Sequence, residues 1–138
     1  MILLDTSGLL AAIDTDEPEH EAASAALHTA LPPFLLSPFV LGELDYLIGK
    51  RFGEAVELDL LAEVRRQAYR LASFDAADIA AARSVLIHHR GLRAGLTDAS
   101  IVVLAWRYRA QDVLTLDERH FRVLQGPDGP FRLLPADA

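Results

Sequence analysis

The feature that most constrains the fold is a set of short apolar runs separated by longer segments of helical pattern. These runs are Ile2–Leu4, Phe34–Leu36 and, apart from Thr115, Val113–Leu116. Short continuous apolar runs are typical of strands buried on both faces, as in a parallel sheet covered by helices. Strands that alternate with helices therefore predict an α/β fold, a three-layer α/β/α sandwich with a mainly parallel central sheet.

Two weaker strands and six helices complete the predicted order. The strands are Tyr69–Phe74 and, at the edge of the sheet, Phe131–Leu134. Ser37 is the predicted N-cap of the third helix and Thr97 that of the last. At 138 residues, 51% of them hydrophobic, we expect a single domain, residues 1–138, with one core. The predicted helices are Ser7–Ile13, Pro18–Ala30, Pro38–Lys50, Glu54–Gln67, Ala76–His89 and Asp98–Arg109.

Composition excludes several classes of protein. The chain has no cysteine, which excludes a disulfide framework and a thiolate zinc site. No apolar run approaches membrane-spanning length and the N-terminus has no basic leader, so we expect a cytoplasmic protein without membrane contact. The net charge of −7 opposes binding of nucleic acid, but every Lys and Arg lies after residue 49, and 12 of these 13 residues are Arg. Arginine is suited to bidentate phosphate contacts.

Four acids lie where the predicted fold could gather them into one pocket. Asp5 follows the first strand, Glu43 lies within a helix, Asp98 opens a late helix and Asp117 follows the Val113–Leu116 run. Ligands of such sheets bind outside the carboxyl ends of the strands. Clustered carboxylates repel one another unless protons or cations neutralise them, and carboxylate oxygen is the preferred ligand of Mg²⁺ and Mn²⁺. If the four acids converge, they predict a metal site that acts on a phosphodiester; alternatively, each Asp is only a helix N-cap.

Glu43 is the acid least easily explained by a structural role. With Phe39 at zero and about 100° per helical residue, Glu43 falls near ~40° and Tyr46 near ~340°. This places Glu43 within an apolar stripe, where an unpaired carboxylate costs several kcal/mol. Glu43 therefore needs a metal, a proton or a cation, and Lys50 on the same face is the structural alternative to a metal. Asp45, near ~240° on the same scale, is expected to be solvated.

Taken in order, these acidic segments resemble a known family. The segments LLDTSGLLA, SPFVLGELDYL, LTDASIVVLA and VLTLDERHF resemble those that carry the four acids of PIN-domain ribonucleases, and specifically of the VapC toxins. The resemblance implies a PIN-like sandwich and a Mg²⁺- or Mn²⁺-dependent endoribonuclease toxin of a type II toxin–antitoxin system. Such an enzyme cleaves a structured ribosomal or transfer RNA with metal-activated water. The implied metal-binding catalytic acids are Asp5, Glu43, Asp98 and Asp117, with Ser7 and Thr115 as supporting residues.

The resemblance also implies partners, namely a cognate VapB-type antitoxin and a second copy of the chain in a homodimer. Candidate RNA contacts beside the acids are Lys50, Arg51, Arg119 and His120. Other histidines are not favoured as ligands, because an oxygen-rich site prefers Mg²⁺ or Mn²⁺ to zinc.

Two alternatives remain open from the sequence. One is a metal-dependent DNA nuclease or phosphatase; a phosphatase of the haloacid-dehalogenase type needs a second Asp two residues after the first, where Ser7 stands. The other is a non-catalytic PIN-like interaction module, against which the presence of all four acids counts.

Overall fold

A five-stranded parallel sheet forms the centre of the protein. A computed structural model describes all residues from Met1 to Ala138. The strand order is β3-β2-β1-β4-β7, with every neighbouring pair parallel, and β5 and β6 form a separate antiparallel hairpin. The predicted mainly parallel sheet is confirmed. The strands are β1 (Ile2–Leu4), β2 (Phe34–Leu36), β3 (Arg70–Leu71), β4 (Asp112–Leu114), β5 (Gln125–Gly126), β6 (Gly129–Pro130) and β7 (Arg132–Leu134).

Seven helices flank this sheet, and six of them match the predicted ones to within a few residues. They pack partly as pairs, α1 on α2, α3 on α4 and α5 on α6, and no helix combines the length and apolar character needed to cross a bilayer. The helices are α1 (Thr6–Ile13), α2 (His20–Thr29), α3 (Pro38–Phe52), α4 (Glu54–Arg65), α5 (Ala76–His88), α6 (Gly95–Tyr108) and α7 (Glu118–Phe121).

The differences from prediction concern short elements and one helix start. Two elements were not predicted: α7, which has four residues, and the hairpin of β5 and β6, whose strands have two residues each. Elements this short show no hydrophobic periodicity. The predicted strand Tyr69–Phe74 shrinks to the exposed edge strand β3. Helix α6 begins three residues before Asp98, so Thr97 lies in its first turn and is not its N-cap.

The hydrophobic core lies on the three central strands. Residues Ile2, Leu3 and Leu4 of β1 are at most 1% exposed, and they pair in parallel register with β2 on one side and β4 on the other. Burial on both faces is the physical reason that these strands read as unbroken apolar runs. The same pairing aligns the carboxyl ends of β1 and β4, which is where Asp5 and Asp117 follow.

Helix α1 lies very close to the end of β4. A Cβ atom at Gly8 would collide with the carbonyl group of Leu114 and would lie 2.8 Å from the backbone nitrogen of Thr115. Only glycine therefore allows the first turn of α1 to lie against this strand end. The close approach brings the segment after β1 beside the segment after β4.

Candidate active site

The structure brings the four predicted acids to one cleft of about 400 Å³ at the carboxyl edge of the sheet. Asp5 directly follows β1, and Asp117 lies three residues beyond β4. Asp98 comes from the first turn of α6, and Glu43 from the middle of α3. Four segments that are distant in sequence thus contribute one carboxylate each to a common surface.

Two hydroxyl groups hold the carboxylate of Asp5. Its Oδ2 accepts hydrogen bonds from Thr115 Oγ1 at 2.7 Å and from Ser7 Oγ at 2.9 Å. Each hydroxyl has a single proton, so the 3.3 Å separation of the two hydroxyl oxygens is a contact and not a further hydrogen bond. The same oxygens accept from the backbone, Ser7 from Leu116 N–H and Thr115 from Asp117 N–H. Ser7 and Thr115 therefore link Asp5 to the loop that carries Asp117.

Burial and mutual repulsion make the charges of this cluster costly. Burial raises the pKa of Asp5 above its ordinary value, although the hydroxyls of Thr115 and Ser7 oppose the shift. Burial also raises the pKa of Asp98 to about 6, and the negative charge of Asp5 adds to the effect. A cluster that resists ionisation in this way is one that a bound cation stabilises.

His120 lies within the cluster. Its Nδ1 is 2.7 Å from Asp98 Oδ2 and 3.1 Å from Asp117 Oδ2. Ionised carboxylates only accept hydrogen bonds, so above the pKa of Asp98 the Nδ1 atom must carry a proton. One ligand atom from each of Asp98, Asp117 and His120 lies within 4.8 Å of the others, whereas Asp5 and Glu43 line the cleft outside this tight group.

His120, predicted as a candidate RNA contact, also has a role within the cluster, because its Nδ1 is engaged by two acids. The missed signal was its spacing from Asp117. Residues i and i+3 meet on a helical turn, and Asp117 Oδ1 caps α7 by accepting from the His120 backbone N–H at 3.1 Å. Asp117 is thus an N-cap in addition to a member of the acidic cluster, while Asp5 makes no such side-chain cap.

Two threonines hold Glu43. Its Oε1 accepts from Thr6 Oγ1 at 2.7 Å, and its Oε2 accepts from Thr97 Oγ1 at 2.9 Å. Neither threonine was predicted to take part, since these contacts join residues far apart in sequence. The predicted alternative partner is not used, because the Lys50 ammonium lies over the ring of Tyr46, 5.8 Å from its centroid.

The predicted burial of Glu43 is wrong, since the residue is exposed. The buried face of α3 consists of Val40, Leu44 and Ile48, which centre near ~140° on the scale used above. Glu43 therefore lies about 100° away, at the border of the buried face. The error came from counting Tyr46 as buried, although it is 65% exposed.

Asp45 also departs from prediction. It is half-buried rather than solvated, and it lies next to Glu57 of α4. The neighbouring carboxylate of Asp45 raises the pKa of Glu57. Asp45 thus belongs to the contact between α3 and α4 and not to the cleft.

The predicted cationic RNA contacts divide into two kinds. Arg51 lines the cleft, but its Nη1 is already shared between Asp14 Oδ2 at 3.1 Å and Glu17 Oε1 at 2.7 Å. These two acids raise the pKa of Arg51 further. Lys50 and Arg119 are exposed. Arg51 therefore forms part of the wall, whereas Lys50 and Arg119 remain accessible.

A buried pair of serines fixes the helices of Glu43 and Asp98 relative to each other. Ser100 Oγ donates its only proton to the Thr97 carbonyl oxygen at 2.6 Å. In the 2.7 Å hydrogen bond between Ser37 Oγ and Ser100 Oγ, Ser37 is therefore the donor. Ser37 Oγ also accepts from Phe39 N–H at the start of α3, which confirms it as the predicted N-cap. The Ser37–Ser100 pair thus ties α3 to α6.

The donor set suits a hard divalent cation. It consists of carboxylate oxygens from four segments and one imidazole, with no sulfur, and Mg²⁺ and Mn²⁺ prefer such oxygen ligands. Burial, and after it the negative charges of Asp5 and Asp117, raise the pKa of Asp98, so its carboxylate would be stabilised by a cation. The residues present therefore fit a metal centre.

Comparison with known proteins agrees with this geometry. A family model described as PIN domain matches residues 2–126. The chain is 41% identical over 135 residues to "Ribonuclease VapC26" of Mycobacterium tuberculosis, an alignment that covers 97% of this chain and 100% of that protein.

Two solved structures share the fold. VapC20 of Mycobacterium tuberculosis, described as a toxin that cleaves the sarcin-ricin loop, matches with a TM-score of 0.76 and 23% identity, over 85% of this chain and 90% of that one. FitAcB from Neisseria gonorrhoeae matches with a TM-score of 0.60 and 25% identity, over 88% and 91% of the two chains. These likenesses support the assignment of the sheet and its surrounding helices.

Proposed function

This chain belongs to the PIN-domain family, and we propose that it is a metal-dependent endoribonuclease of the VapC type, the toxin of a type II toxin–antitoxin system. The observation that carries the proposal is the convergence of four carboxylates at the carboxyl edge of a parallel sheet. The 41% identity to a VapC ribonuclease over nearly the whole chain supports it.

We propose that Asp5, Glu43, Asp98 and Asp117 hold Mg²⁺ or Mn²⁺, with His120 beside them. When bound, such an ion supplies a water of lowered pKa and stabilises negative charge on the phosphoryl oxygens. This chemistry does not require the 2′-hydroxyl of RNA as nucleophile, so cleavage leaves 5′-phosphate and 3′-hydroxyl ends.

The surrounding residues position these acids. Ser7 and Thr115 orient Asp5, and Thr6 and Thr97 orient Glu43, each through hydroxyl groups at 2.7–2.9 Å. His120 holds its Nδ1 proton between Asp98 and Asp117, which keeps two mutually repelling carboxylates in one orientation. Such hydrogen bonds set the orientation and basicity of metal ligands.

We propose that the substrate is a structured ribosomal or transfer RNA. Lys50 and Arg119 are exposed cations beside the cleft elements and would contact phosphates that flank the cleaved bond. Arg51 would shape the wall of the cleft through its ion pairs with Asp14 and Glu17, and it would not contact phosphate as a free cation.

Two protein partners follow from the VapC relationship: a VapB-type antitoxin and a second copy of the chain. Several large apolar side chains on α3 and α4 are exposed, and such side chains are available for burial against a protein partner. Light scattering of the purified chain, alone and after co-expression with a candidate antitoxin, measures both assemblies. The exposed apolar side chains are Tyr46 and Phe52 of α3 and Val56, Leu58 and Leu61 of α4.

The experiment that tests the function is direct. The purified chain is incubated with total bacterial RNA and Mg²⁺ or Mn²⁺, beside its Asp5→Ala variant, and new 5′ ends are mapped by sequencing. A discrete cut that disappears with EDTA and in the variant supports the proposal. Metal-dependent cleavage of single-stranded DNA or of a phosphomonoester instead of RNA would replace it, and folded protein with no metal-dependent activity would favour an interaction module.

A further inference from the structure

A second cleft, of about 460 Å³, lies between α5, α6 and the first residue of β5. Its walls carry the indole of Trp106 and the imidazoles of His88 and His89, and Val85 and Val102 supply apolar surface. The two imidazoles contact each other edge-to-face, with centroids 4.9 Å apart. A space of this size that combines aromatic faces with few polar groups is typical of a small-molecule or nucleobase site.

The aromatic groups of this cleft are accessible and oriented. Trp106 is 53% exposed, and its Nε1 donates to the Gln125 carbonyl at 3.1 Å, which fixes the plane of the indole. Three of the five histidines hydrogen bond to the protein, and they are His20, His28 and His120. The imidazole nitrogens of the other two, His88 and His89, are therefore free to bind a ligand.

The chain segment that carries the two cleft histidines is positively charged in an acidic protein. Residues 79–97 contain three arginines and the two cleft histidines but no acid, although the whole chain has a net charge of −7. Arg83, Arg90 and Arg93 of this segment are exposed and lie outside the ion pairs of the protein. A polyanion is the ligand that this charge favours.

The same helix joins this cleft to the acids. Val102 and Trp106 lie four and eight residues after Asp98 on α6, so they lie on the same side of the helix. Eight residues rise about 12 Å, which spans roughly three to four nucleotides of a stacked strand at 3.4 Å each. An RNA strand cut at the acids can therefore reach the second cleft within a few nucleotides.

The geometry points to a nucleobase subsite in which an unpaired base near the cleaved bond stacks on Trp106 and hydrogen bonds to His88 or His89. Arg90 and Arg93, which are exposed and closely follow the cleft histidines in the chain, are the candidate contacts for the adjacent phosphates. The inference rests on the proposed ribonuclease function and deepens it, because it requires a substrate with an unstacked base close to the cut. Proteins that read RNA sequence commonly stack such bases on aromatic side chains.

Trp106 is the only tryptophan of the chain, so its fluorescence reports on this cleft alone. The full chain with Asp5→Asn, which removes cleavage, is titrated with an RNA oligonucleotide of about 12 nucleotides and with an abasic oligonucleotide of the same length. We expect quenching by the RNA but not by the abasic strand. RNA affinity is measured in a separate filter-binding assay. Trp106→Ala, and likewise the double variant His88→Ala with His89→Ala, should weaken RNA binding about tenfold. Trp106→Phe should retain most of the RNA affinity, because its ring can still stack on a base.

The matched control is Leu31→Ala, because Leu31 is 75% exposed and does not line this cleft. Equal quenching by the abasic strand, or unchanged RNA affinity in the Trp106 and histidine variants, would overturn the subsite. A dimer that dissociates in Trp106→Ala with unchanged RNA affinity would assign this surface to contacts between copies instead.

The wild-type cleavage assay separates the two proposals. Base-dependent quenching by a chain that cleaves no RNA would leave the subsite standing and remove the ribonuclease function. Cleavage by Trp106→Ala with the wild-type KM would keep the function and remove the subsite.

Discussion

The hydroxyl oxygens of Ser37 and Ser100 lie 2.7 Å apart in the core, and this contact joins the helix of Glu43 to the helix of Asp98. Ser37→Ala removes both this hydrogen bond and the N-cap of α3. We expect a loss of about 1–2 kcal/mol in the free energy of unfolding, measured by urea denaturation. Ser73→Ala, at an exposed position, should change it by less than about 0.5 kcal/mol. Equal effects of the two substitutions would argue against the tie between the helices.

Asp98→Asn should lower kcat/KM for RNA cleavage at least about hundredfold, because it removes one charged group from the proposed metal centre. The fold should persist, since the amide is isosteric and relieves the repulsion with Asp5. Asp59→Asn, an exposed acid on α4, is the matched control and should cleave like the wild type. A folded Asp98→Asn protein with wild-type activity would contradict the assignment of Asp98.

The raised pKa of Asp98 predicts a pH dependence of stability. Its value is about 6 in the folded protein against an ordinary 3.8, so between these values the folded state binds more protons than the unfolded state. The metal-free protein should therefore gain stability from this group as the pH falls from about 7 to about 4. The gain should be smaller in Asp98→Asn, as urea denaturation at several pH values can measure. An identical pH profile in the variant would show that Asp98 titrates normally.

The hydroxyls that hold Glu43 predict an effect on metal affinity. Thr6→Val and Thr97→Val each remove one hydrogen bond to the carboxylate, which should weaken Mn²⁺ binding about tenfold by calorimetry. Thr29→Val is a suitable control, because its hydroxyl bonds only to carbonyls within α2. Unaltered Mn²⁺ affinity in both variants would indicate that Glu43 is not a ligand.

Two glycines of similar helical context should respond oppositely to alanine. Gly8→Ala forces a methyl group against the end of β4 and should cost about 1–3 kcal/mol of stability. Gly42→Ala, where an added Cβ meets nothing within 4 Å, should stabilise by up to about 1 kcal/mol. Thermal unfolding of the two variants distinguishes these outcomes, and a stabilising Gly8→Ala would mean that α1 can move away from the sheet.

The order of apolar and polar residues predicted those strands whose burial depends on the residues of the strand itself. Buried parallel strands require unbroken apolar runs, so Ile2–Leu4 and Phe34–Leu36 were predicted with their observed bounds. The convergence of Asp5 and Asp117 followed from the parallel pairing of neighbouring strands.

Other features depend on tertiary contacts, which the periodicity of hydrophobic residues does not reveal. The exposure of Glu43 depends on which side of α3 meets the sheet, and the apolar character of Tyr46 misled that choice. His120 reaches Asp98 through a helix of one turn, and Thr97 reaches Glu43 across 54 residues.

The guanidinium of Arg51, shared between Asp14 and Glu17, has a thermodynamic consequence for the cleft. The other charged groups that line it are carboxylates, so a phosphate that enters meets no unshared positive charge from the lining side chains. A divalent ion bound as proposed would supply that charge, so the free energies of ion and RNA binding would be linked. Each ligand would then increase the affinity for the other by the same factor. RNA would bind more tightly to the metal-loaded protein, and the metal would bind more tightly to the RNA-bound protein.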